Sequence, residues 1–391
     1  MKRFLLPLVF TLGLGACADA DLTGPSATCT APGTLNPMHS KAAALSAILQ
    51  HYTTAGLPGC AVAVYSPTEG YWAGAAGFAK LEDQTPMQIC HLQYGQSVAK
   101  TYLAVAVLKL YEAGRLPLDA PITDYLTASV SKQLPSADQI TVRMLLNHTS
   151  GLPDYTIDPT YTAYLLQHPR SPLTTADYLG YLTAKKLDFK PGSKFTYSNT
   201  NYMVLALVAD FITGDHARYL QETIFTPLGL RNTFYHNSPT YLQQPDVVNC
   251  YLERFGNGRV ENVSQMQQIS VGSMVGDDGL VASPLDFVTF LRALFEDRLL
   301  QPATRQQMMT WVNDHKTNKP TYGLGLYRVE HQGKVAYGHG GGGIGAGCAL
   351  YYLPEQQIYF FLGVNLGTLT EGKLVSKAGE LRKALLDELV K

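Results

Sequence analysis

Apolar positions recur at helical spacing through Leu45, Ile48, Leu49 and Tyr52, and the pattern stops at Ala55-Gly56. GCAVAVYS and YWAGAAGFA then read as strands around the turn Pro67-Thr68-Glu69-Gly70. From Ser97 to Ala113 the chain is apolar nearly all round, with Tyr102, Leu103, Val105, Val107, Leu108 and Leu110. A helix hydrophobic on every side belongs at the centre of a protein. Residues 120–290 carry helical patterns broken by Pro and Gly, such as Tyr202–Thr213 ending at Gly214. Strand character returns in YGLGLYRVE, KVAYGH, CALYYLP and QIYFFLGVN, and a last helix puts Leu374, Ala378, Leu381, Leu385 and Leu389 on one face. Strands at both ends with helices between predict one sheet built from both chain ends, with a mainly helical insertion at about 115–290.

The first residues have a different pattern. Met1-Lys2-Arg3 is basic and Phe4 to Leu14 is apolar, too short for a spanning helix of about 20 residues and suited to a secretory signal. Leu14-Gly15-Ala16-Cys17 resembles the lipobox of bacterial lipoproteins, in which the cysteine is lipidated and becomes the mature N-terminus. The expected organisation is a signal peptide at 1–16, lipidation at Cys17, a small, polar, Pro/Gly-bearing tether at 17–37 and a folded domain at 38–390. The expected location is the periplasm or cell envelope, with membrane contact only through that anchor.

Composition narrows the class. The chain is 391 residues long, 46% hydrophobic and 16% charged, which excludes a disordered chain. Lys+Arg 30 against Asp+Glu 31 leaves no basic excess to neutralise phosphates, which argues against a nucleic-acid partner. Length alone suggests two or three domains of about 150 residues; the returning strands reduce this to one. Beyond Cys17, the cysteines Cys29, Cys60, Cys90, Cys250 and Cys348 match no metal spacing; their odd number leaves at least one free thiol, and they read as buried small hydrophobes with room for a disulfide. Neither G-x-S-x-G nor H-E-x-x-H occurs. Gly340 to Gly345 satisfies G-x-G-x-x-G but precedes a strand rather than a helix, so no dinucleotide site is expected. The reading calls for no cofactor and no metal.

Ser97-Val98-Ala99-Lys100 is the first candidate for chemistry. Positions i and i+3 share a helix face, so the amine can sit beside the hydroxyl. A desolvated lysine loses its proton more readily and can accept the one from serine. The same spacing at Ser129-Val130-Ser131-Lys132 lies in a polar stretch and reads as surface. Lys100, by contrast, lies in an apolar helix, where a charge without a purpose is costly. Tyr-x-Asn occurs at Tyr197-Ser198-Asn199, before an apolar helix, and again at Tyr235-His236-Asn237. A phenol near an ammonium ionises more easily and can relay a proton. His339 heads a run of glycines at the end of KVAYG, where a substrate could approach the backbone closely.

Ser97-x-x-Lys100, Tyr197-x-Asn199 and His339-Gly340-Gly341, in this order, resemble the motifs of the serine β-lactamase and penicillin-binding-protein superfamily. The likeness is greatest to class C β-lactamases, D-alanyl-D-alanine carboxypeptidases and related esterases. Thr141 to Leu152 (TVRMLLNHTSGL) looks like that family's T-x-x-x-L-L-x-H-T-S-G-L signature. The resemblance covers about residues 40 to 390. It implies an α+β fold (an α/β sandwich), with an antiparallel sheet flanked by helices from both termini and a helical subdomain. It implies Ser97 as the acylated nucleophile and Lys100 with Tyr197 as its proton-relay pair. Backbone N–H groups of Ser97 and Gly342 would form an oxyanion hole, with Gly341 beside them, and Asn199 would bind the acyl side chain. His339 stands where classical β-lactamases carry lysine, so a permanent cation for a β-lactam carboxylate is missing. Met274–Ser283 lacks the family's usual Gly-Gly pair. The expected activity is a Ser97 acyl-enzyme hydrolase of a small-molecule or peptide substrate. A D-alanyl-D-alanine carboxypeptidase or β-lactamase-like peptidase leads, with a carboxylesterase and a non-catalytic cell-wall peptide receptor as alternatives.

Overall fold

A computed structural model describes residues 24–28, 30 and 34–391. The signal at 1–16, Cys17, Cys29 and the first residues of the expected tether lie outside the described residues. Where the tether is described it lies on the domain: Ser26 Oγ donates to Asp246 at 2.6 Å, and Leu35 bridges to Tyr71.

Helix α1 (Ala42–Thr54) leads into strands β1 (Gly59–Ser66), β2 (Gly70–Lys80) and the short β3 (Thr85–Pro86). The second half of the chain supplies β4 (Val312–Asn313), β5 (Pro320–Tyr322), β6 (Tyr327–His331), β7 (Lys334–Gly342), β8 (Gly347–Leu353) and β9 (Ile358–Val364). They form one nine-stranded antiparallel sheet in the order β3-β2-β1-β9-β8-β7-β6-β5-β4. Pairing of β1 with β9 joins the two ends of the chain, with Cys60 opposite Val364 and Tyr65 opposite Tyr359.

Both faces of this sheet are covered, which is why β9 is buried at every position and reads as a continuous apolar run. Phe360, Leu362 and Val364 meet α1 and the last helix, which runs Lys373–Leu389 and buries Leu374, Leu381, Leu385 and Leu389. Tyr359 and Phe361 point the other way, into the core shared with the helical half. That half centres on α2 (Ala99–Glu112) and α3 (Asn199–Thr213), the latter closed by Gly214 at φ 80°. Helix α4 (Pro284–Phe295) starts with Ser283 Oγ accepting the Asp286 N–H and packs on β1, β8 and β9. The last helix is therefore α5.

Two sequence expectations change. The insertion does not run to 290, because α4 belongs to the sheet's own cover; its apolar face needs the sheet. YGLGLYRVE is not one strand either. Gly325 turns at φ 84° against α2, where a Cβ would come within 2.3 Å of the Ala104 Cβ, so the chain breaks between β5 and β6. Cys60, Cys250 and Cys348 are free and buried, and Cys90 is disulfide-bonded.

Phe287 of α4 stacks on Phe361 of β9 with centroids 4.1 Å apart, both fully buried. Phe361→Ala is expected to cost about 3–5 kcal/mol in urea unfolding, whereas exposed Ser129→Ala should stay within about 0.5 kcal/mol.

Candidate active site

The site forms where the start of α2 meets the end of β7. Ser97 sits in a single 3-10 turn, Gln96–Val98, just before α2, and not in the α-helix itself. The turn is held by Gly95 N–H donating to Leu280 O (2.7 Å) and Val98 N–H donating to Gly95 O (2.9 Å). Gln96 takes φ 46°, a strained conformation for a side chain of its size, immediately before the serine. The strand and the turn touch so closely that a Cβ on Gly341 would lie 2.6 Å from the Gln96 Cβ, and one on Gly343 2.6 Å from its Oε1. The glycine run is there for clearance.

Lys100 is fully buried one turn on. Its Nζ donates to Ser97 Oγ (3.0 Å), Asn199 Oδ1 (2.8 Å) and the backbone oxygen of Asp277 (2.6 Å). Burial pulls its pKa down, while the carboxylates of Asp277, Asp278 and Asp154 push back up. In the neutral amine two N–H bonds can stay on Asn199 and Asp277, and the lone pair then faces the serine hydroxyl. That arrangement can take the Ser97 proton.

Asn199 has partners that the sequence does not announce. The family resemblance assigns it to the acyl side chain, but its Oδ1 is held by Lys100 and its Nδ2 donates to Asp154 Oδ2 (3.0 Å) and Thr156 Oγ1 (3.1 Å). It orients the lysine and fastens it to a carboxylate behind. The Tyr197 ring centroid lies 5.2 Å from Lys100 Nζ, and its hydroxyl is buried without an ordinary hydrogen bond. Burial drives that phenol's pKa well up, with Ser97 the neighbour that pulls it down. Tyr197 is therefore protonated at rest, a proton donor and not the easily ionised phenol that its neighbourhood with a lysine suggests.

His339 is 1% exposed and both ring nitrogens are engaged, Nε2 with the Tyr322 hydroxyl (3.0 Å) and Nδ1 with Gly340 O (2.5 Å). Burial and the nearby Lys100 lower its pKa to about 3. It offers the cleft a neutral ring edge next to Tyr197, while its nitrogens serve Tyr322 and Gly340. Gly343 N–H donates to Ala346 O (3.0 Å) at the hairpin, and Gly342 faces Gly347 in the ladder. Antiparallel alternation then turns the Gly342 N–H away from β8. Pairing with β6 ends at Gly338, so this edge of β7 is open beside Ser97. The Ser97 N–H starts a helix, where donors have no intrahelical acceptor.

The Thr141–Leu152 signature braces this constellation from behind. His148 Nδ1 accepts from Asn201 Nδ2 (3.0 Å) and Ser198 N–H (3.3 Å), and its ring packs 4.4 Å from that of Tyr197. The second Tyr-x-Asn also has a structural role, because the Tyr235 hydroxyl accepts the Gly276 N–H (2.9 Å) and anchors the Asp277 loop. Ser129 and Lys132 are exposed and take no part in the site.

Sequence reasoning missed Gln96, Asp154, Asp277 and Asp278. The signal for the last two was the stretch lacking a Gly-Gly pair. Burial raises the Asp277 pKa to about 6 and the Asp278 pKa to about 7, each worsened by a neighbouring carboxylate. With folded pKa values above the unfolded ones, stability is intact below about pH 4 and falls as pH rises through 6 to 7. Asp278→Asn is expected to be about 2–4 kcal/mol more stable than the parent at pH 8 and nearly equal to it at pH 4, read from melting curves across pH.

Comparisons with known proteins place the chain in a family. The Beta-lactamase family model matches residues 45–378. Penicillin-binding protein 4* of Bacillus subtilis is 25% identical over 317 residues, 78% of this chain and 67% of its own length. A putative D-alanyl-D-alanine carboxypeptidase of Salmonella schwarzengrund is 22% identical over 254 residues, 56% of this chain and 58% of its own. The D-amino acid amidase of Ochrobactrum anthropi SV3, solved with L-phenylalanine amide, superimposes at TM-score 0.76 with 25% identity, over 89% of this chain and 98% of that one. With the family model spanning most of the chain and a serine, lysine and tyrosine gathered at one cleft, the protein belongs to the beta-lactamase family and is a serine hydrolase.

Proposed function

We propose that the protein is a peptidase or amidase of the D-alanyl-D-alanine carboxypeptidase type, working through a Ser97 acyl-enzyme. The observation that carries this reading is the 3.0 Å contact between the buried Lys100 amine and Ser97 Oγ. Neutral Lys100 takes the serine proton as Oγ bonds to the carbonyl carbon. The resulting oxyanion is held by the Ser97 and Gly342 N–H groups. The carbon–nitrogen bond breaks as Tyr197 gives its proton to the leaving amine, and Lys100 returns a proton to Tyr197. Water then attacks the ester, losing a proton to the same pair, and Ser97 Oγ leaves with one. Neutral His339 supplies no fixed cation for a carboxylate, whether of a β-lactam or of a peptide C-terminus, so it does not by itself rank the peptidase against the β-lactamase. An amine buried against a serine has no use in a pure receptor.

Ser97→Ala is expected to abolish covalent labelling by a fluorescent penicillin or a fluorophosphonate; persistent labelling of the variant overturns the assignment. Rates on a D-Ala-D-Ala peptide, p-nitrophenyl butyrate and nitrocefin rank peptidase, esterase and β-lactamase, with the peptide expected first by kcat/KM. We also infer export and lipid anchoring at Cys17, supported by the basic, apolar and Leu-Gly-Ala-Cys pattern. Cys17→Ser is expected to lose palmitate incorporation and move the protein from the membrane to the soluble fraction.

A further inference from the structure

Ser97 borders two cavities, one of about 510 Å³ and one of about 580 Å³, and the residues common to both linings are Ser97 and Gly342. A carbonyl carbon attacked by Ser97 Oγ therefore sits where the two spaces meet, and the two halves of a substrate run opposite ways from it. Tyr197 decides which half goes where, because it lines the smaller cavity and not the larger. The leaving amine has to meet the Tyr197 hydroxyl, so it departs through the smaller space. The larger one receives the acyl half.

The acyl-side cavity is larger than a D-alanyl methyl group needs; its volume lies in the range of roughly 300–1,000 Å³ that takes a whole drug-sized molecule. Its wall carries apolar side chains that water reaches: Ile157 is 74% exposed, Leu166 49% and Leu369 65%. They come from three separate segments, the turn Tyr155–Ile157, the helix Pro159–Gln167 and the loop after β9. Among the described residues six large apolar side chains are exposed, and three of them line this one cavity. Singly scattered apolar side chains are ordinary on a surface; three around one cavity mark a place where something apolar binds. Arg254 is the cation on this wall and is paired with Glu261 (2.9 Å), so an anionic tail finds no free partner there. We infer that the cavity binds a long apolar group on the acyl half of the substrate, such as a fatty acyl cap on the nitrogen of the D-residue whose carbonyl Ser97 attacks. The favoured substrates are then peptides or amides N-acylated with an apolar chain, and a short N-acetyl group leaves Ile157, Leu166 and Leu369 uncovered. The inference rests on the Ser97 acyl-enzyme reading for which half enters, but it can fail separately.

Binding to full-length Ser97→Ala protein separates the two. The ligands are N-acetyl-, N-hexanoyl- and N-octanoyl-D-alanyl-D-alanine, titrated by calorimetry at pH 7. Full burial of each methylene is worth about fourfold in affinity, so even partial burial should lower Kd by about thirtyfold or more from acetyl to octanoyl. Adding Ile157→Ser, Leu166→Ser and Leu369→Ser together, all at exposed positions that the fold does not need, should cut that ratio to about fivefold or less by weakening the octanoyl ligand. Phe211→Ser removes a side chain that is 55% exposed and outside the cavity, and should leave the ratio as it was. A flat series, a ratio that survives the triple substitution, one that Phe211→Ser lowers as much, or no binding of the octanoyl ligand at millimolar concentration overturns the subsite. Turnover by the protein with Ser97 intact tests the other reading. A steep series without cleavage leaves the subsite standing and removes the peptidase, while cleavage of all three ligands with a flat series does the reverse.

Discussion

The structure is organised around one amine that water does not reach. Lys100 lies in a helix buried on nearly every side, and its three acceptors come from three separate places: the turn before α2, the start of α3 and the loop before α4. Holding a lysine there costs desolvation energy that only a complete set of acceptors offsets. The helical half must therefore close around α2 with α3 and the 277 loop in fixed register. Tyr235, Tyr155 and Asp154 do that fixing from outside the cleft.

The sheet contributes the opposite wall and is built to let a backbone come close. β7 carries glycines where it meets Gln96, because a side chain there would collide with the turn that presents Ser97. The same strand loses its neighbour β6 beyond Gly338, so its last N–H groups are left facing the cleft. Close packing and an open edge at one place leave backbone donors beside Ser97. The neutral His339 fits this economy, since its ring nitrogens serve Tyr322 and Gly340.

Much of this is legible in the sequence where periodicity and chemistry coincide. Lys100 inside an apolar helix, three residues after Ser97, stands out because a charge in that setting needs a reason. The strands of both chain ends stand out because a sheet covered on both faces leaves near-continuous apolar runs. The hold of Asn199 on Lys100 is not legible in the sequence, since no spacing tells that an amide turns toward a lysine nearly a hundred positions earlier. The Asp277–Asp278 pair escapes notice because two acids between glycines look like a solvated turn. Only the packing of Tyr155, Tyr235 and α3 around that loop buries them. The break at Gly325 is invisible for a similar reason: it is imposed by α2, which lies far away in sequence.

The pairing of β1 with β9 has a consequence in time as well as in space. The serine turn comes from the first third of the chain, while the glycine strand that faces it comes near the end, followed by the strand that locks the sheet and the helix that covers it. A polypeptide still emerging from the ribosome owns Ser97 and Lys100 but not the opposite wall of their cleft. Hydrolytic power arrives only with the final strands, so the order of synthesis itself keeps the unfinished molecule inert.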